Sequence, residues 1–216
     1  MIVASDLNGT LTTGSPILAV ARWVKRFHPN SYPSLFIPGL MLSYLQVRLG
    51  RKEIDTWGDQ NMRRVLELIP GSSPEIVDAV MTYVVDEELW KKRRQIPVSL
   101  LEEYHRFGAE IIIISAAFEP AVQKFALKIG HERVIGLGTE VKQSGDGLSL
   151  SDTLTSREIK LEKIRAVIGS AQIDVALGDT FADIPLLENA ILPIAVYPDK
   201  KLHEVAVKKG WKIIQE

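Results

Sequence analysis

The sequence contains no cysteine. That absence excludes a disulfide framework, a thiolate zinc site and a cysteine nucleophile. Net charge is nearly absent as well: 26 Lys and Arg stand against 27 Asp and Glu, and a formal balance of -1 offers no broad attraction for nucleic acid. No apolar stretch reaches the ~20 residues that a membrane-spanning helix needs. The nearest, Leu35 to Leu49, is interrupted by Pro38, Gly39, Gln46 and Arg48. It is expected as a buried helix, the alternative being a face that touches a membrane surface or a lipid phosphate. No charged, cleavable leader precedes the apolar Met1 to Ala4, so the expected compartment is the cytoplasm.

Other chemistries fail for want of their residues. His28, His105, His131 and His203 are scattered, with no pair at metal-ligand spacing on one predicted element, which argues against zinc. Gly136-Leu137-Gly138 lacks the third glycine and the following helix of a dinucleotide fingerprint. There is no Gly-x-Ser-x-Gly elbow for a serine hydrolase.

What is present is room for a full core in 216 residues and an ordered alternation of elements. Met1 to Ala4 reads as a strand, and residues from Pro16 to Arg94 read as almost wholly helical. Thereafter helices and strands alternate: helix Val98 to Phe107, strand Glu110 to Ile114, helix Pro120 to Ile129, strand Arg133 to Leu137. Ser144-Gly145-Asp146-Gly147 predicts a hairpin within Val141 to Leu150. Helix Ser156 to Ile168, strand Ile173 to Leu177, helix Ile184 to Asn189, strand Leu192 to Val196, helix Lys200 to Lys209 and strand Trp211 to Ile214 complete the chain. The expectation is an α/β protein with a parallel sheet: a core of residues 1–14 and 95–216, split by a helical insertion of residues 15–94.

Four polar clusters fall at the ends of apolar stretches or on a charged helix. They are Asp6-Leu7-Asn8-Gly9-Thr10, Ser115, Lys160, and Gly178-Asp179-Thr180-Phe181-Ala182-Asp183. Carboxylates at the carboxyl ends of parallel strands face the crevice where ligands collect. Asp6, Asp179 and Asp183 therefore form a candidate hard-oxygen cation site suited to Mg²⁺. Ser115, after four consecutive isoleucines and before a predicted helix, is placed to hold an anion at a helix N-terminus. Lys160 can neutralise phosphate charge, with Lys163 its rival one turn away. Taken singly, each cluster has a plainer use: aspartates after strands cap loops, and Lys160 lies in a charged stretch that suits a solvated helix face.

Jointly, Asp6-Leu7-Asn8-Gly9-Thr10-Leu11-Thr12, Ser115, Lys160 and Gly178-Asp179 through Asp183 resemble the motifs of the haloacid dehalogenase superfamily. The helical insertion, Ser115-Ala116-Ala117, Val134-Ile135-Gly136 and Tyr197-Pro198-Asp199-Lys200-Lys201-Leu202 are similar to its phosphoserine phosphatase-like branch. The resemblance implies a Rossmann-like core under a small helical cap, with Mg²⁺-dependent hydrolysis of a small phosphorylated substrate through an aspartyl-phosphate. It implies Asp6 as nucleophile and metal ligand, the backbone carbonyl of Asn8 as a second ligand, and Asp179 and Asp183 as further ligands. Thr10, Ser115 and Lys160 would contact phosphate.

One residue departs from that pattern. Asn8 stands where the family's hydrolases usually carry an aspartic acid that serves as general acid and base, and an amide has no titratable proton for either task. A change made to trap a complex, a natural enzyme with slow hydrolysis, and a natural member using other chemistry are all compatible with it. The alternative function is a catalytically impaired phosphate-binding or regulatory protein. The aromatic-rich insertion, with Trp23, Phe27, Tyr32, Phe36, Tyr44 and Trp57, is expected to pack between helices or to cover a bulky phosphate ester. Its basic residues Arg22, Lys25, Arg26, Arg48, Arg51 and Lys52 suit either a solvated surface or anionic headgroups.

Overall fold

The computed structural model describes residues 1–51, 53–151 and 157–215. The chain opens with strand β1 (Ile2–Asp6) and passes into helices α1 (Pro16–Phe27), α2 (Phe36–Arg48), α3 (Ile54–Leu66) and α4 (Pro74–Tyr83). The last of these continues as a π-helical turn over Val84–Leu89. Alternation then sets in with α5 (Gln95–Arg106), β2 (Glu110–Phe118), α6 (Glu119–Ile129) and β3 (Val134–Thr139). A hairpin of β4 (Val141–Ser144) and β5 (Gly147–Leu150) precedes α7 (Arg157–Ile168). The chain ends through β6 (Ile173–Gly178), α8 (Ile184–Glu188), β7 (Ala190–Val196), α9 (Lys200–Lys209) and β8 (Lys212–Ile214).

Local chemistry sets the helix ends. The Ser15 and Ser73 hydroxyls accept from the amides of Leu18 and Ile76 at the starts of α1 and α4, each with proline at the first helical position. Asp199 caps α9 by accepting from Leu202 N at 2.7 Å.

Six described strands form one parallel sheet in the order β3-β2-β1-β6-β7-β8. The chain builds outward from β1 in one direction through β2 and β3, then returns to the other side with β6, so the strand order reverses between β1 and β6. At that switch point the crossovers leave on opposite faces and a crevice opens at the strands' carboxyl ends. Residues Ile2 to Asp6 lie opposite Glu110 to Ile114, and Val3 to Ser5 opposite Val175 to Leu177, which brings the ends of β1 and β6 level.

The four isoleucines of β2 are explained by its two covered faces. Ile111 and Ile113 join Val3, Val175 and Leu177 in a cluster that also includes the helices between β1 and β2, while Ile112 and Ile114 join Ala4 and Ala176 against α7, α8 and α9. On β3, Gly138 lets α6 approach: a Cβ there would stand 2.4 Å from Glu119 Cα. Close packing, rather than cofactor binding, accounts for that glycine.

Two expectations are corrected. Strand β2 does not end at Ile114 but continues through Ser115 to Phe118 after a register shift, and Thr139 Oγ1 donates to Ala116 O at 2.8 Å beside it. Ser115 therefore lies inside a strand, and α6 starts at Glu119, close to the expected Pro120, behind an N-cap at Phe118 that makes no side-chain hydrogen bond. The segment Leu35 to Leu49 does form a helix, yet Leu40 is the buried residue of α2, while Leu35, Leu42 and Leu49 are 75%, 67% and 67% exposed. Helix α2 packs through one side only, and no described residue covers the other. Lys52 and the predicted helix start at Ser156 lie outside the described residues. Elsewhere the aromatic side chains pack on one another as expected, with Trp23 on Phe27 at 5.5 Å and Tyr44 on Trp57 at 5.2 Å between ring centres.

The helices between β1 and α5 are tied back at one junction. Arg94 N donates to Leu11 O at 2.8 Å, and Thr12 Oγ1 donates to Leu89 O at 2.7 Å. Buried Glu88 gathers the rest: it accepts from Ser15 N at 3.1 Å, Arg22 Nη1 at 2.5 Å and Lys92 Nζ at 2.6 Å. Burial pulls its carboxyl upward, and the partners Lys92, Ser15 and Arg22 more than offset that, leaving it below the usual range. Because Arg22 and Lys92 reach solvent, Glu88→Ala should cost about 2 kcal/mol rather than the larger penalty of stranding two buried cations, a loss that urea unfolding would measure.

Candidate active site

Asp6 is the last residue of β1, and the chain turns sharply after it. Leu7 O accepts from the amides of Leu11 and Thr12 at 2.8 and 3.1 Å, and Gly9 N donates to Thr12 O at 2.8 Å. Gly9 adopts a φ of +95°, and a Cβ there would fall 2.0 Å from Asp179 Oδ2. Only glycine meets both demands, since the left-handed backbone and the contact with Asp179 exclude a side chain. The loop thereby brings β1 against the end of β6.

Asp6, Asp179 and Asp183 converge there, each offering an oxygen within 4.8 Å of the others. Thr10 Oγ1, fully buried, lies 2.9 Å from Asp179 Oδ1 and 3.3 Å from Asp6 Oδ2. From α7, Lys160 Nζ reaches Asp6 Oδ1 at 2.7 Å and Asp183 Oδ1 at 2.9 Å. Lys163 points elsewhere, donating to Gly138 O at 2.8 Å and lying 3.6 Å from Glu119. Helical phase thus places Lys160, and not Lys163, beside the carboxylates.

Asp183 divides its oxygens. While Oδ1 faces Lys160, Oδ2 accepts from Asp179 N, Thr180 N and Thr180 Oγ1 at 3.2, 3.1 and 3.0 Å, closing the turn that carries Asp179. Asn8 and Ser115 meet across the crevice: Ser115 Oγ donates to Asn8 Oδ1 at 2.9 Å, and Asn8 Nδ2 donates to Gly14 O at 3.3 Å. Ser115 Oγ also accepts from Ala117 N at 3.2 Å, so the hydroxyl orients the bent end of β2 instead of capping a helix.

The electrostatics follow from burial. Desolvation, opposed by Lys160 and reinforced by Asp183, pushes the Asp6 carboxyl up to about 6. Asp179 is pushed up to about 8 by burial and by the charges of Asp6 and Asp183. Burial disfavours the charge on Lys160, but Asp6 and Asp183 outweigh it and hold the ammonium protonated above the ordinary lysine range. When ionised, the three carboxylates carry more negative charge than one lysine neutralises. Buried hard oxygens with that surplus are what a small divalent cation requires.

Above the cluster lies a cavity of about 740 Å³. Its floor is Asp6, Asn8, Ser115, Lys160 and Asp179, and its wall on the helical side is Ile17, Ile54, Trp57 and Met62, with Asp59 among them. Lys200, Lys201 and Phe181 stand on the other side. Of this wall the sequence marks only Trp57, as an aromatic that packs or covers the substrate. Ile17, Ile54, Asp59 and Met62 went unrecognised, although Ile54, Trp57, Gly58 and Met62 recur at helical spacing on α3, because periodicity marks a face without saying whether it meets core or cavity.

A sequence model of haloacid dehalogenase-like hydrolases matches residues 3–188, and the chain belongs to that family. Among curated proteins, it is 27% identical over 158 residues to the inhibition of morphological differentiation protein of Streptomyces azureus, covering 71% of this chain and 53% of that protein. It is 22% identical over 220 residues to phosphoserine phosphatase SerB1 of Mycobacterium tuberculosis, covering 96% of this chain and 68% of that one. The chain thus spans about half the length of the first relative and about two thirds of the second. A solved structure of a substrate-bound phosphoserine phosphatase shares the fold with a TM-score of 0.62 at 19% identity, covering 100% of this chain and 92% of that one.

Two outcomes follow for the cluster. Because the folded carboxyls at about 6 and about 8 hold protons that an unfolded aspartate releases near 3.8, cation-free stability falls as pH rises through that interval. Divalent cations bind the ionised form, so Mg²⁺ should raise the melting temperature more at about pH 8 than at about pH 5, as scanning fluorimetry would record. Gly9→Ala, which displaces Asp179, should abolish that Mg²⁺-dependent gain even where the protein remains folded.

Proposed function

We propose that this chain is a Mg²⁺-dependent phosphomonoester hydrolase working through an aspartyl-phosphate, slowed by asparagine at position 8. The observation that carries the proposal is the junction of Asp6, Asp179 and Lys160 on the floor of the cavity, where a buried carboxylate, further acidic oxygens and an ammonium group meet. In this proposal residues 1–14 and 95–216 form the catalytic core and residues 15–94 the cap that encloses the substrate.

The donor set fits Mg²⁺, with Asp6, Asp179 and the Asn8 carbonyl holding it. Asp183, already engaged by Lys160 and the turn amides, would support the ion's water shell. When bound, the ion polarises phosphoryl oxygens and offsets the carboxylate surplus. An Asp6 oxygen then attacks phosphorus as the ester oxygen departs with the bonding pair, and a water subsequently attacks the same phosphorus, returning the Asp6 carboxylate and releasing inorganic phosphate. Lys160, Thr10 and Ser115 orient the phosphoryl oxygens, and Lys160 spreads charge away from the Asp6 nucleophile.

Both steps need a proton moved at the site of Asn8. The departing alkoxide must gain one and the attacking water must lose one, and the Asn8 amide does neither. Solvent supplies the proton in the first step and takes up the one the attacking water loses in the second, at a cost of ~10²–10⁴ in rate against a positioned acid and base. The same deficiency favours a second reading, a phosphate-ligand binding or regulatory protein with negligible turnover.

Phosphate release from a panel of phosphomonoesters in the presence of Mg²⁺ tests the proposal. Wild type should turn over slowly, Asp6→Asn should lose activity, and Asn8→Asp should gain about tenfold or more. Intact-mass measurement should show a phosphoryl group accumulating on wild type and not on Asp6→Asn. Silence from both wild type and Asn8→Asp on every ester would leave the binding protein as the answer.

A further inference from the structure

Helix α2 turns an apolar face outward. Met41, Leu42, Leu45 and Leu49 are 51%, 67%, 51% and 67% exposed, and Leu35 just before the helix is 75% exposed. The opposite side is the one that packs: Leu40 is buried, and Trp57 of α3 donates its Nε1 proton to Ser43 Oγ at 2.9 Å. Scattered exposed leucines are ordinary on a protein surface; a helix that is apolar on its outer side as well as its inner side is not, because such helices are normally covered all round.

The charge pattern around this face is one-sided. Helix α2 contains no aspartate or glutamate, and its end and the residues after it carry Arg48, Arg51 and Lys52 before the first carboxylate, Glu53. Arg48 closes α2 beside Leu45 and Leu49, and Arg51 follows directly; both are exposed, and neither forms an ion pair with a described residue. A nearly neutral protein thus concentrates positive charge where it also exposes leucine.

We propose that the outer face of α2 docks on the anionic surface of a lipid bilayer. Leu42, Leu45 and Leu49 enter the boundary between headgroups and acyl chains, and Arg48 and Arg51 pair with anionic headgroups. The helix lies in the membrane plane, as its 13 residues and the absence of any spanning helix among the described residues require. Apolar burial and charge attraction then act together, which is how interfacial helices bind. A second copy of the chain is a poorer occupant. A two-fold pairing of this face would bring Arg48 near that of its mate with no carboxylate on α2 itself to meet it. This docking is independent of whether the cavity hydrolyses anything.

Sedimentation of the full chain with lipid vesicles tests it. The protein should pellet with vesicles of phosphatidylcholine mixed with phosphatidylglycerol and stay in solution with phosphatidylcholine alone, and added salt should release it. The pair Leu42→Glu and Leu45→Glu should weaken vesicle binding at least ~10-fold while leaving circular dichroism unchanged, because both side chains are solvent-facing already. Neutralising Arg48→Gln and Arg51→Gln should weaken it by about fivefold for each charge removed. Failure of wild type to partition onto anionic vesicles overturns the proposal, as does equal binding by the glutamate pair. A dimer in sedimentation velocity that the glutamate pair converts to monomer would also overturn it, by showing that a second copy covers the face.

Discussion

The ammonium of Lys160, held between Asp6 and Asp183 at 2.7 and 2.9 Å, is the interaction on which the candidate site depends. Three aspartates converge at the switch point of the sheet, and burial pushes the carboxyls of Asp6 and Asp179 toward their protonated forms. One buried cation, Lys160, offsets part of that cost. Asp183 links this charge balance to backbone geometry, because its second oxygen closes the turn that presents Asp179. Electrostatics and loop shape are therefore properties of a single group of side chains.

The helices between β1 and α5 meet that group from above. They share a continuous apolar cluster with one face of the sheet, and Glu88 fastens their return to the loop after β1. Consequently α3 can serve two surroundings at once: Met62 and Trp57 line the cavity while Trp57 also packs on Tyr44 of α2. The outer face of α2 is then left over, unsatisfied by the fold that its inner side supports.

Much of the site could be read before any coordinates. Asp6, Asn8, Thr10, Ser115, Lys160, Asp179 and Asp183 all reach one region, since short apolar strands end where polar residues begin and a parallel sheet gathers those ends on one edge. Ser115 was misplaced in secondary structure because four isoleucines already look like a whole strand, and a register shift in the middle of β2 leaves no mark in composition. The segment Leu35 to Leu49 was misread for a related reason. Hydrophobicity reports a tendency to leave water, and says nothing about whether this fold supplies enough neighbouring surface to receive both sides of the helix.

Sequence by itself determined the alternation of strands and helices, the parallel sheet and the residue types at its carboxyl edge, because periodicity and local turn chemistry act over a few residues. It also determined that position 8 carries no titratable proton. Tertiary structure alone decided that Lys160 and not Lys163 faces the carboxylates, that Gly9 must yield its side-chain space to Asp179, and that α2 keeps an uncovered face. Each of those outcomes depends on distances between segments far apart in the chain, which the order of the residues along it does not encode locally.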